Sequence, residues 1–161
     1  MLHWTAGDYQ TLFPAYHFCL RGADDVEVAA THDLRANMCD LRAAGTAAYA
    51  AHTQGRNSFT AGVAICAMRG ATPYDFGTYP LTPGQIEALC TVGAALARFY
   101  GIALAAVRTH AEAALDDGYF GASGAEVRWD IARLEAAPEP LSAREATTVG
   151  DRLRRRIAEL L

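Results

Sequence analysis

Residues 60–68 read TAGVAICAM and residues 82–101 read TPGQIEALCTVGAALARFYG. The first is a short, unbroken apolar run flanked by small and polar residues, the pattern of a strand buried on both faces. The second opens with Thr82, a preferred N-cap, and Pro83, which suits the first helical position. Ile86, Leu89, Cys90, Gly93, Leu96, Ala97 and Tyr100 then recur at helical spacing along one face, and Gly101 is a fitting stop. The interval 69–81 is rich in Gly, Pro and Tyr and reads as irregular loop. A buried strand feeding an amphipathic helix is the unit of an α/β layer.

Outward from that unit, Met1 and Leu2 read as the end of a strand leading into His3, with a turn at Thr5-Ala6-Gly7. Tyr16–Leu20 alternates and reads as a strand, Arg21–Asp24 as a turn and Val26–Ala29 as a return strand. Thr31–Thr46 has no clean period beyond a helical turn. Ile102–Arg108 reads as a further short strand, placing His110 just past a strand end, and residues 111–130 mix helical and loop signals. Pro138-Glu139-Pro140 breaks the chain. Ser142-Ala143-Arg144-Glu145 has the form of a capping box, with Glu145 reaching back to the cap. In the helix that follows, Val149, Leu153, Ile157 and Leu160 form a stripe, and Arg152, Arg154, Arg155 and Arg156 largely occupy the rest. The expectation is a single α/β domain with a central mixed sheet flanked by helices. Residues 1–137 form its body, and 138–161 add an arginine-rich amphipathic helix packed on the same domain.

Composition narrows the class. A chain of 161 residues, 52% hydrophobic and 20% charged, has room for one real core. A net charge of −4 argues against nucleic acid as the main partner, because phosphate binding needs positive charge. All 14 basic residues are arginine. The opening MLHWTAGDYQ lacks the basic and apolar regions of a signal peptide, and no apolar run reaches the ~18 residues that span a bilayer. Cys19, Cys39, Cys66 and Cys90 form no C-x-x-C pair, so a reduced, cytoplasmic place of synthesis is expected. The arginine face of the last helix is either a solvated face or a contact for an anionic surface.

Five histidines, His3, His17, His32, His52 and His110, are scattered, and no H-E-x-x-H helix groups them. Spacing alone selects no ligand set. Their surroundings, however, follow a known order. His3-Trp4-Thr5-Ala6 resembles an "HxTA" strand end and Tyr16-His17-Phe18 a "YHF" strand. His52 to Asn57 resembles an "HA-x-G-x-N" loop, Gly62-Val63 a central "GI", Thr109-His110 a "GH", and Arg128-Trp129-Asp130 a "K-x-D". In that order the segments resemble the type 2 N-acetylmuramoyl-L-alanine amidases and peptidoglycan recognition proteins, over roughly residues 1–134.

The resemblance implies a zinc-dependent peptidoglycan hydrolase that cleaves the amide between N-acetylmuramic acid and L-alanine. It implies zinc on His3, His110 and Asp130, Tyr16 and Arg128 as oxyanion-stabilising catalytic residues, and His52 and Asn57 on the substrate side. Asp116 and Asp117 are alternative ligands, because 20 positions separate His110 from Asp130, more than the family's usual spacing. Asp130 is preferred for the basic residue two positions before it. Where some members carry a glutamate general base, this chain has Ala64, which fits the phage endolysin branch and leaves the base unassigned. Such an enzyme is made in the cytoplasm and acts on the wall after release. The rival expectations are a wall-binding module without catalysis and a cytosolic muropeptide-recycling amidase. His17 is expected to be structural, and Trp4 and Trp129 to anchor the core.

Overall fold

The computed structural model describes residues 1–28, 31–121 and 129–161. Four short strands, β1 (Leu2–Trp4), β2 (Phe18–Leu20), β3 (Val26–Val28) and β4 (Val63–Ile65), form one sheet in the order β1-β4-β2-β3. β4 runs parallel to both β1 and β2, and β2 pairs antiparallel with β3. The sheet is therefore mixed, with the apolar 60–68 run supplying β4, one of its two inner strands. Helices α1 (Leu41–Ala44), α2 (Pro83–Tyr100), α3 (His110–Asp116) and α4 (Ala143–Glu159) complete a single α/β domain.

Alternation along the strands divides the sheet into two faces. Leu2, Trp4, Leu20, Val63 and Ile65 enter the main core with Leu89, Cys90 and Ala94 of α2 and Leu153 and Ile157 of α4. The alternate residues His3, Cys19 and Ala64, in register across β1, β2 and β4, face the other side and are equally buried. The segment before β4 covers that second face. Buried Asn37 holds it in place: its amide donates to the carbonyls of Ala50 and Asn57, and its oxygen accepts from the Ala50 N–H. The same oxygen accepts from His17 Nε2, while His17 Nδ1 accepts from the Gly62 N–H at 2.9 Å. His17 is thus a fastener between this segment and the start of β4, as its place in the sequence suggests.

The helix signals are realised closely. Thr82 and Gln85 form a reciprocal capping box on α2, and Gly101 closes it in the left-handed conformation at φ 64°. Leu153 and Ile157 are buried along α4, and Trp4 packs edge-on against Trp129 with ring centroids 4.4 Å apart.

Three expectations are corrected. Ile102–Arg108 is not a strand; it contains a 3-10 turn at Leu104–Ala106 and touches the sheet through a bridge between Leu2 and Thr109. The alternation of Ile102 and Leu104 stops at exposed Ala105 and Ala106, and alanine has little preference for a pleated, half-buried surface. His110 consequently opens a helix rather than following a strand. Tyr16 and His17 likewise precede β2 instead of lying in it. At α4, Ser142 accepts from the Glu145 N–H, but the Glu145 carboxylate leaves the cap and grips Arg133 at 2.5 and 2.8 Å. Arg133 is buried, and a buried guanidinium needs a matching charge more than an exposed N-cap needs a second bond.

Two of the α4 arginines serve as ties. Arg154 reaches Glu112 of α3 and the Val107 carbonyl, and Arg156 reaches Glu87 of α2. Among the described residues no helix is long and apolar enough to cross a membrane.

Candidate metal centre

His3 is held at the middle of β1, with Leu2 and Trp4 locked into the core on either side. His110 is placed by the start of α3. Thr109 caps that helix, its hydroxyl accepting from the Glu112 N–H while the Glu112 carboxylate accepts from the Thr109 N–H. The motif Thr109-His110-Ala111-Glu112 is a capping box legible in the sequence, and it marks the helix start that a strand reading of 102–108 overlooks. Asp130 is tied to the same turn by its carbonyl, which accepts from the Ala111 N–H at 3.0 Å. Buried Trp129 and fully buried Ile131 flank it, and Ile131 has φ 62°, unusual for a β-branched residue. Backbone in that region is held by its surroundings, and the packed core around Ile131 does so.

These three elements bring together side chains far apart in the chain. Asp130 Oδ2 stands 3.2 Å from His110 Nδ1 and 3.6 Å from His3 Nδ1. One ligand atom from each of His3, His110 and Asp130 lies within 4.8 Å of the others. His3 is fully buried, yet among the described residues its Nδ1 finds no hydrogen-bond partner. Buried polar atoms are normally satisfied. An unpaired imidazole nitrogen aimed at a carboxylate and a second imidazole is what a cation-binding group requires, and this group can hold a metal ion.

Electrostatics agree with that use. Burial pushes the Asp130 carboxyl up, but the His110 and His3 rings beside it more than reverse this and hold it below the usual carboxylate range. Burial lowers His3 from an ordinary 6.5 to about 4 against the pull of Asp130, so the ring is neutral near pH 7, the form that binds metal.

Other sequence-derived candidates surround this centre. The Tyr16 ring lies 5.1 Å from that of His3, and its hydroxyl donates to the Trp4 carbonyl at 3.2 Å. Arg128 lies outside the described residues. His52 is buried edge-on to His3, with ring centroids 5.3 Å apart. Its two nitrogens meet Thr53 Oγ1 and the Thr60 carbonyl. Asn57 Oδ1 accepts from the Thr53 N–H, so it shapes the loop carrying His52. Asp116 and Asp117 turn to Arg56, at 3.4 and 2.7 Å, and not to the histidines. Two neighbours escape sequence reasoning. Thr53 Oγ1 lies 3.4 Å from His3 Nε2, and Tyr119 OH 3.4 Å from His110 Nε2. The signal for Tyr119 is Gly118, at φ 78°, which turns the chain back after α3; for Thr53 the sequence carries none.

The buried histidines also predict acid sensitivity. Burial lowers His52 from 6.5 to about 2 and lowers His17 in the same direction. Below pH 6.5 the unfolded chain binds protons that these folded rings and His3 refuse. Stability of metal-free protein is therefore full above about pH 6.5 and falls with pH, the His3 share being lost by about pH 4 and the His52 share toward about pH 2, at up to ~1.4 kcal/mol per pH unit for each histidine. Urea midpoints of chelated protein check this. An unchanged midpoint between about pH 7 and about pH 5 would mean that the rings are not held neutral.

Among known protein families, curated proteins and solved structures, the chain finds no match. The functional reading accordingly rests on the ordered motifs and on the geometry of the buried group.

Proposed function

We propose that this chain is a zinc-dependent N-acetylmuramoyl-L-alanine amidase acting on bacterial peptidoglycan. The supporting observation is the meeting of His3 Nδ1, His110 Nδ1 and Asp130 Oδ2, residues drawn from the first and the last two of the ordered motifs. Two neutral imidazoles and one carboxylate are a donor set suited to zinc, with a coordination position left for substrate or water. When bound, zinc supplies Lewis-acid polarisation of the scissile carbonyl and lowers the pKa of water to near 7.

The chain's own residues do the rest. Asp130 contributes the single negative charge of the donor set. Tyr16, beside His3, turns its phenol from the Trp4 carbonyl to the oxygen that gains charge when the amide carbon becomes tetrahedral. Arg128, two positions before Asp130, adds fixed positive charge but no proton, because a guanidinium does not titrate near neutrality. The oxygen of water adds to the amide carbon, the carbon–nitrogen bond breaks, and the proton that water gives up leaves on the peptide amine. In this reading the protein is an endolysin-type enzyme, made in the cytoplasm and released to the wall.

Incubation of zinc-loaded protein with purified sacculi tests the proposal. New N-terminal alanine amines without new reducing sugar ends are expected, with loss on chelation and recovery with zinc. Reducing ends would identify a glycosidase. Tight retention on sacculi with no product would identify a wall-binding module. Tyr16→Phe is expected to lower turnover ~100-fold with zinc content unchanged, the usual cost of one oxyanion donor. Unaltered turnover would remove Tyr16 from the reaction.

A further inference from the structure

The hydrogen bonds behind His3 form a chain whose direction can be read from its far end. The Thr60 carbonyl can only accept, so the His52 Nε2 that meets it at 3.2 Å carries a proton. His52 is buried with no carboxylate partner among the described residues, and a buried charge without a partner is costly, so the ring keeps one proton; its Nδ1 is then a bare acceptor, and the Thr53 hydroxyl 3.0 Å away donates to it. That uses the only proton Thr53 Oγ1 has. Toward His3 Nε2, at 3.4 Å, the same oxygen can only accept, so His3 Nε2 carries its ring proton. The other nitrogen of His3, Nδ1, is left with a free lone pair. It is the atom that faces Asp130 and, among the described residues, finds no other partner. Gly62 makes the arrangement possible, since a Cβ there would stand 2.7 Å from the His52 ring.

We propose that Thr53 and His52 are positioning residues for the metal centre: together they fix His3 in the Nε2–H tautomer and so present Nδ1 to the cation. His52 is thus placed behind a ligand rather than against substrate. The physical advantage is that the alternative tautomer, with a proton on Nδ1, would point that proton at Asp130 and close the site to a cation. The inference rests on the metal-binding reading above, but the tautomer can be measured without metal.

Long-range 1H–15N correlation spectra of chelated protein report the tautomer of each histidine directly. The wild-type spectrum is expected to show His3 with a protonated Nε2 and a bare Nδ1. Thr53→Val, which keeps the shape and removes the hydroxyl, is expected to shift His3 toward the Nδ1–H form. It should also weaken zinc binding ~10- to 100-fold in competition with a chromogenic chelator. Thr53→Ser should restore both. A wild-type His3 with its proton on Nδ1 overturns the proposal, as does a Thr53→Val protein that matches wild type in tautomer and zinc affinity. If Thr53→Val does not fold, the wild-type spectrum and Thr53→Ser still decide. Wild-type protein that binds no zinc while showing the expected tautomer would instead defeat the metal reading.

Discussion

Under the proposed amidase function, Asp130→Ala is expected to remove bound zinc and to reduce hydrolysis of sacculi at least ~1000-fold, the scale set by losing several kcal/mol of Lewis-acid stabilisation. Asp130 Oδ2 is the atom on which both imidazoles converge, and it carries the only formal charge in the donor set. Without it, His3 and His110 would hold a divalent cation with two neutral nitrogens. The neighbouring anchors do not depend on the carboxylate. Trp129 packs on Trp4, Ile131 is buried, and the Asp130 carbonyl contact with the Ala111 N–H is backbone. The variant should therefore fold, and far-UV circular dichroism with elemental analysis separates loss of metal from loss of structure. Asp130→Asn should behave similarly, because shape is kept and charge is not. A folded Asp130→Ala protein with full zinc content and activity would move the centre elsewhere.

Glu112→Ala is expected to cost ~3–5 kcal/mol of folding stability, a large part of the 5–15 kcal/mol typical of a domain. Glu112 is buried at 3% exposure, and its two oxygens take Arg154 at 2.8 and 2.9 Å while also capping Thr109. Removing it takes away the bidentate partner of the Arg154 guanidinium, which keeps only Asp151 and the Val107 carbonyl, and uncaps α3, whose first residue is His110. Gly150 shows how closely the helices meet: a Cβ there would collide with the Glu112 carboxyl group. Urea unfolding checks the cost, and zinc affinity should fall with it because His110 loses its helix start. Replacing both partners, Glu112→Leu with Arg154→Leu, should recover much of the loss, since no buried charge is then left unpaired. A cost below ~1 kcal/mol for Glu112→Ala would mean that this pair behaves as a surface ion pair.

Both predictions concern residues whose importance the sequence reveals unequally. Asp130 emerges only through its resemblance to a motif, and spacing alone leaves Asp116 and Asp117 as rivals until Arg56 is seen to engage them. Glu112 is legible as the fourth residue of a capping box, but its buried partner on α4 is not.

What the sequence by itself determined is local. The Thr82 and Ser142 caps, the Gly101 stop, the apolar stripe of α4 and the buried run feeding β4 all follow from interactions within a turn or two of chain, or from burial of one continuous segment. Tertiary structure decided the rest. It gave Ile102–Arg108 a 3-10 turn beside β1 instead of a strand, and drew Glu145 from its cap to Arg133. It brought Thr53 to His3 across 50 positions and Asp130 to His110 across 20. No period or cap encodes such meetings. They depend on where the packed sheet and helices carry the chain, and on which buried charges and hydrogen-bonding groups must find a partner once water is excluded.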